Sequence, residues 1–106
     1  DNAAFGEMLE FIQAHYRDPS FASSTVAQHF GVSQSNVTRM FNRFNQTGFL
    51  EYLHSLRIAK ARELLETTGY SVADISMMVG YTNTLTMTRA FKRYTGTTPG
   101  SFRKGR

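Results

Sequence analysis

The sequence predicts an all-α protein of seven helices, with two helix–glycine turn–helix units on either side of a longer linker helix. Three observations lead there. Apolar residues recur at helical spacing, and no stretch alternates as a half-buried strand does. Glycines at 31, 69, 80 and 96 punctuate the helical runs. The stretch VAQHFGVSQSNVTRMFNRF at 26–44 is also echoed by ISMMVGYTNTLTMTRAFKRY at 75–94, the second copy one residue longer at its turn.

Each element has a local cause. Phe5, Met8, Leu9, Ile12 and Tyr16 form an opening amphipathic helix. It stops near Asp18-Pro19, because a proline pushes the residue before it out of the helical region. A short helix follows, capped by Ser23 or Ser24, carrying Val26, Ala27 and Phe30 and broken by Gly31. Ser33 caps a helix over 34–44. Residues 51–66 read as a 16-residue helix closed by Thr68-Gly69. Ser71-Val-Ala-Asp74 has the form of a capping box and opens a short helix through Ile75 and Val79. A helix over 84–94 ends at Gly96, and Thr98-Pro99 supplies a cap and a first-turn proline for the last one. The expected organisation is a first unit at 1–48, a linker helix at 51–66 and a second unit at 70–106. A start at Asp1 rather than methionine suggests a piece of a longer chain.

Composition removes several classes of function. The 106 residues are 41% hydrophobic, enough for one ordinary core or two small ones on a shared scaffold. Without cysteine there is no disulfide framework, zinc–thiolate site or thiol nucleophile. No apolar run approaches the roughly 20 residues needed to span a bilayer, and no export signal is visible. His15, His29 and His54 fall on three different helices without ligand spacing, and no glycine-rich phosphate loop follows a strand. The expectation is therefore no enzyme, no metal, no cofactor and no membrane partner.

Charge is more informative by position than by amount. The net value is +4, yet none of the eight acids falls between Pro19 and Leu50 or after Asp74. Those two stretches hold Arg39, Arg43, Arg89, Lys92, Arg93, Arg103, Lys104 and Arg106. Two basic patches divided by an acid-bearing helix suit a polyanion touched in two places.

At 100° per residue, Val37, Met40, Phe41 and Phe44 gather on one side of the first long helix. Ser35, Thr38, Arg39, Asn42 and Arg43 are left on the other. In the second copy Met87, Phe91 and Tyr94 turn inward, which leaves Leu85, Thr86, Arg89, Lys92 and Arg93 outside with Thr84 and Thr88 at the flanks. That outer chemistry suits DNA. Arginine reads guanine O6 and N7, asparagine reads adenine, and threonine or leucine methyls meet the thymine methyl. Asn42, Arg43, Lys92, Arg93 and Arg103 are the expected phosphate contacts. The linker helix, with Leu53, Leu56, Ile58, Ala59, Ala61, Leu64 and Leu65 spread around it, reads as a rod of about 24 Å clasped by both units. Successive major grooves lie about 34 Å apart on one face of a duplex, within reach of such a frame. The competing reading is a helical protein-interaction module whose basic face meets an acidic partner. RNA fits less well, since Phe41, Phe44, Phe91 and Tyr94 turn inward and leave few rings for base stacking.

The stretches FIQAHYRDPS, VAQHFGVSQSNVTRMF, EYLHSLRIAKARELL, SVADISMMVGYTN and TRAFKRYTGTTPGSFR together resemble the DNA-binding domain of the AraC/XylS family of bacterial transcription regulators. The resemblance covers nearly the whole chain. It implies a seven-helix domain that binds two consecutive major grooves of double-stranded DNA. It also implies a place in the bacterial cytoplasm at the nucleoid, with RNA polymerase as a further partner. The piece itself is expected to be monomeric, with any dimerisation supplied by a domain outside it. Carried over by position, base reading falls at Ser35, Asn36, Thr38 and Arg39 in the first unit and at Thr84, Leu85, Thr88 and Arg89 in the second. Asn36 lies nearer the side of its helix than the others. Three departures stand out: Gly48 comes two residues after the family's usual glycine position at Gln46, Met87 replaces a core phenylalanine, and Met77 and Met78 replace small residues. Some DNA-repair alkyltransferases carry a similar double unit, but their accepting cysteine is missing here.

Overall fold

The computed structural model describes residues 2–105, and the expected helices all form. In chain order they are α1 (Asn2–His15), α2 (Ser23–Phe30), α3 (Gln34–Phe44), α4 (Phe49–Thr67), α5 (Val72–Met78), α6 (Thr84–Thr95) and α7 (Pro99–Lys104). No strand occurs among the described residues.

Short polar side chains start most of them by satisfying an amide that the helix leaves unpaired. The Ser33 hydroxyl accepts from the Asn36 N–H at 3.1 Å, and Ser71 accepts from Asp74 N–H at 3.0 Å. The Thr98 hydroxyl does the same for Ser101 at 3.2 Å, with Pro99 in the first turn. Two starts differ from expectation. Neither Ser23 nor Ser24 caps α2; Ala22 occupies the cap position, and the Thr25 hydroxyl reaches back to accept its N–H at 3.1 Å. Helix α4 begins at Phe49, two residues early, with Gly48 as its cap. The cause is tertiary: the Phe49 ring packs edge-on against Phe41 with centroids 5.7 Å apart, which draws the two extra residues into the helix. At 19 residues α4 is about 28 Å long.

Two cores share that helix. Phe5, Met8, Ile12, Phe21, Val26, Ala27, Val37, Phe41 and Leu53 form the first. Ile58, Ala61, Leu64, Leu65, Ile75, Val79, Tyr81, Met87 and Phe91 form the second. The first half of α4 thus belongs to α1–α3 and its second half to α5–α7. Arg57 sits at the seam between them, only 6% exposed. The molecule measures 43 × 23 × 21 Å, elongated as two units strung on one rod should be.

Candidate nucleic-acid interface

Burial of Val37 and Phe41 fixes which way α3 faces. With that side committed to the core, Ser35, Thr38, Arg39, Asn42 and Arg43 are exposed and Asn36 is half-buried at the flank. The Asn36 side chain, with Arg39, Met40, Arg43 and Phe44, lines a shallow groove of about 390 Å³. On the other flank Thr38 borders a groove of about 480 Å³ that runs to the first turn of α4, where Leu50 is 61% exposed.

Helix α6 repeats the arrangement. Met87 and Phe91 are buried, while Thr84, Leu85, Thr86, Arg89, Lys92 and Arg93 are exposed and Thr88 is half-buried. Leu85, 58% exposed, is an apolar side chain displayed to water at the start of a polar face. The first turn is pinned by Asn83, whose side-chain oxygen accepts from both the Thr86 N–H at 2.8 Å and the Thr86 hydroxyl at 2.9 Å. Such a cap holds Thr84 and Leu85 in one geometry.

The cations expected to face DNA, for base reading or for phosphate, differ in their internal partners. Arg39, Arg89 and Lys92 have no hydrogen-bond, ion-pair or ring partner among the described residues, and Asn42 is exposed beside them. Arg43 lies over its neighbour Phe44, 5.3 Å from the ring centroid. Arg93 is instead ion-paired with Glu51 at 2.9 Å, and the Tyr94 hydroxyl donates to the other oxygen of that carboxylate at 2.9 Å. Arg103 departs furthest from the expected solvent-facing cation. Its guanidinium donates to the carbonyls of Leu65 at 3.3 Å, Thr68 at 3.2 Å and Tyr70 at 2.6 Å. These lie at the end of α4, where carbonyls lack helical partners and a cation is favoured by the helix dipole.

Behind α6 a polar clip ties that helix to the rod. The Tyr81 hydroxyl lies 2.7 Å from His54 Nδ1, and the His54 ring stacks between Tyr81 and Tyr94 at 5.7 and 6.2 Å. Burial pushes the Tyr81 phenol up to about 12, so it keeps its proton and shares a hydrogen bond with the imidazole. Burial, together with the nearby Arg57 and Arg93, holds His54 below its ordinary value and the ring neutral. Periodicity offers no signal for this clip, because Glu51 and Arg93 are 42 residues apart. His15 and His29 pack on the Phe11 ring at 4.5 and 3.9 Å. Of the departures noted above, Met77 is 55% exposed, whereas Met87 is fully buried.

Known proteins share this architecture. A family model described as a helix-turn-helix domain matches residues 26–105. The chain is 33% identical over 99 residues to the arabinose operon regulatory protein of Escherichia coli, a match covering 93% of this chain and 34% of that regulator. It therefore spans about a third of the length of that curated relative. The C-terminal domain of AraT, a response regulator from Geobacillus stearothermophilus, superposes with a TM-score of 0.92 at 29% identity, over 94% of this chain and 83% of that one. The DNA-binding domain of AdpA, a global transcriptional factor solved in complex with a target DNA, superposes with a TM-score of 0.88 at 25% identity, over 94% and 88% of the two chains. No helix among the described residues is long and apolar enough to cross a membrane. On the sequence match, the seven-helix architecture and these relatives, the chain belongs to the AraC/XylS family of transcription regulators, as a helix-turn-helix domain of that family's DNA-binding type.

Proposed function

We propose that this chain is the operator-reading part of a transcription regulator of the bacterial cytoplasm, with α3 and α6 entering consecutive major grooves of one DNA duplex. One observation carries the reading. Two helices with matched exposed polar faces, each holding an arginine without an internal partner, are mounted on a single rod. The 43 Å long axis is of the scale of the roughly 34 Å between successive grooves, as a frame that spans two of them requires. The likeness of the whole two-unit frame to a domain solved on its target DNA supports the same docking here.

In this reading Ser35, Asn36, Thr38 and Arg39 read one box and Thr84, Leu85, Thr88 and Arg89 the other. Asn42, Arg43 and Lys92 neutralise phosphates, with Arg93 a weaker contributor because Glu51 already faces it. Arg103 serves the end of α4 rather than the duplex. Selection of bound sites from random duplex DNA is expected to return two short boxes one helical turn apart. On such a site Arg39→Ala and Arg89→Ala should each cost about 1–3 kcal/mol and relax preference at one base position. Gel shifts in which both variants bind as the parent does would count against it. So would binding to acidic proteins in the absence of any DNA binding at low salt.

A further inference from the structure

A continuous helix joins the two units, but a helix alone leaves each unit free to rock about its seam. The structure fills that seam with a charged side chain. We propose that Arg57 is a positioning residue that locks the relative orientation of the two units, and so sets the box spacing that the chain accepts. The spacing part rests on the DNA reading above; the orientation part stands by itself.

Arg57 reaches both units at once. Its Nε donates to the Tyr16 carbonyl at 2.8 Å and its Nη2 to the Asp18 carbonyl at 3.1 Å, both just beyond the end of α1. Its guanidinium carbon lies 5.4 Å from the ring centroid of Tyr81, between α5 and α6. One rigid planar fork therefore bonds the first unit through its edge and the second through its face. Gly80, at φ +112, brings the second unit's turn against the same point. A Cβ there would lie 2.7 Å from Arg57 Nε and 2.8 Å from the Tyr16 carbonyl. Only glycine accepts both that backbone and that approach. Beside this contact Arg17 Nε donates to the Met78 carbonyl at 3.1 Å, a direct bond from the end of α1 to the end of α5.

Chemistry argues that this is more than cohesion. Burying a guanidinium is costly, and apolar residues of similar size would often fill such a seam as well or better. What an apolar filler lacks is direction. Bonds to two named carbonyls fix the guanidinium plane on the first unit, and the Tyr81 ring and Gly80 turn of the second unit close on that plane, whereas greasy contacts tolerate sliding.

The chain has no cysteine, so exposed Gln28→Cys on α2 and Ala73→Cys on α5 take one nitroxide label on each unit. Pulsed dipolar measurement on the unbound chain should give a narrow distance distribution. Arg57→Gln should broaden it, and Arg57→Lys, which keeps charge and one donor direction, should fall between. If the freed joint holds the competent orientation about a tenth of the time, affinity for the two-box site falls about tenfold. The penalty for inserting half a helical turn, about 5 base pairs, between the boxes should shrink as well. A folded Arg57→Gln with the parent's narrow distribution overturns the inference, whatever its DNA affinity. Should Arg57→Gln lose its helix content, Arg57→Lys takes its place, and an unchanged width there is equally fatal. A parent that binds no duplex counts against the proposed function, and the label distances still decide the joint.

Discussion

The first unit closes its reading helix on Asn45, in extended backbone at φ −131, whereas the second closes on Gly96, in the left-handed region at φ +84. Their cores differ as well. Phe41 is surrounded by Phe5, Phe49 and Tyr52 at centroid distances of 5.0, 5.7 and 5.8 Å. The corresponding layer of the second unit holds fewer rings: Phe91 meets Phe102 at 5.6 Å, and Met87 and aliphatic residues fill the rest. The charges are deployed differently too, for among the described residues the basic side chains of α3 have no acidic partner, while Arg93 of α6 is held by Glu51. What the units share is narrower: a glycine turn, a capped first turn, and an inward stripe opposite an outward polar face. That shared part is the part that presents side chains to a ligand. The way a helix ends and the filling of its core can vary as long as the face stays put.

The largest effects should come from the cores. Phe41→Ala leaves a hole in a fully buried aromatic cluster and should cost about 3–5 kcal/mol in denaturant unfolding. In the second unit Met87, at the position of Val37, is replaced more cheaply: Met87→Leu conserves volume and should cost less than about 1.5 kcal/mol. The contact it removes is a weak one, since the Ser76 hydroxyl at 3.6 Å from the Met87 sulfur also bonds the Val72 carbonyl at 2.8 Å. A Met87→Leu loss as large as that of Phe41→Ala would mean that the second core tolerates no repacking.

The helix ends come next. Gly96→Ala meets no atom within 4 Å, so its cost is the left-handed backbone alone, about 1–2 kcal/mol in thermal or chemical unfolding. Asn45→Ala keeps an ordinary backbone and loses only the side-chain bonds to Thr47 at 3.0 and 3.1 Å, a cost of about 1 kcal/mol or less. A larger loss at Asn45 than at Gly96 would reverse this part of the comparison.

The charge difference appears in salt dependence. Lys92→Ala should lower the slope of log affinity against log salt by about one unit. Arg93→Ala should lower it by less, because Glu51 already offsets that charge, and Glu51→Gln should raise affinity for all sequences. Identical slopes for the two alanine variants would mean that the ion pair opens on binding.

The smallest effect concerns pH and belongs to the second unit. His54 titrates below its ordinary 6.5 in the folded chain, so protons bind the unfolded chain more readily. The stability it lends is complete above about 6.5 and is lost as pH falls through the folded value. Melting temperature should therefore decline between about pH 7.5 and pH 5, and His54→Gln should flatten that decline. An equal decline in parent and variant would assign the effect elsewhere.

Much of this molecule is legible in one dimension. Helical spacing, punctuating glycines and the caps Ser33, Ser71 and Thr98 depend on neighbours within about four residues, so seven helices and their inward faces follow from the chain itself. The outward sets around Arg39 and Arg89 follow too, as what remains once the stripe is buried. The early start of α4, the capture of Arg93 by Glu51, the commitment of Arg103 to the end of α4 and the bolt at Arg57 depend on groups 33 to 42 residues apart, or on rings packed across elements. Periodicity tells which side of a helix is buried but not what lies across from it, and whether a cation faces solvent or a carbonyl is decided only when the units close on the rod.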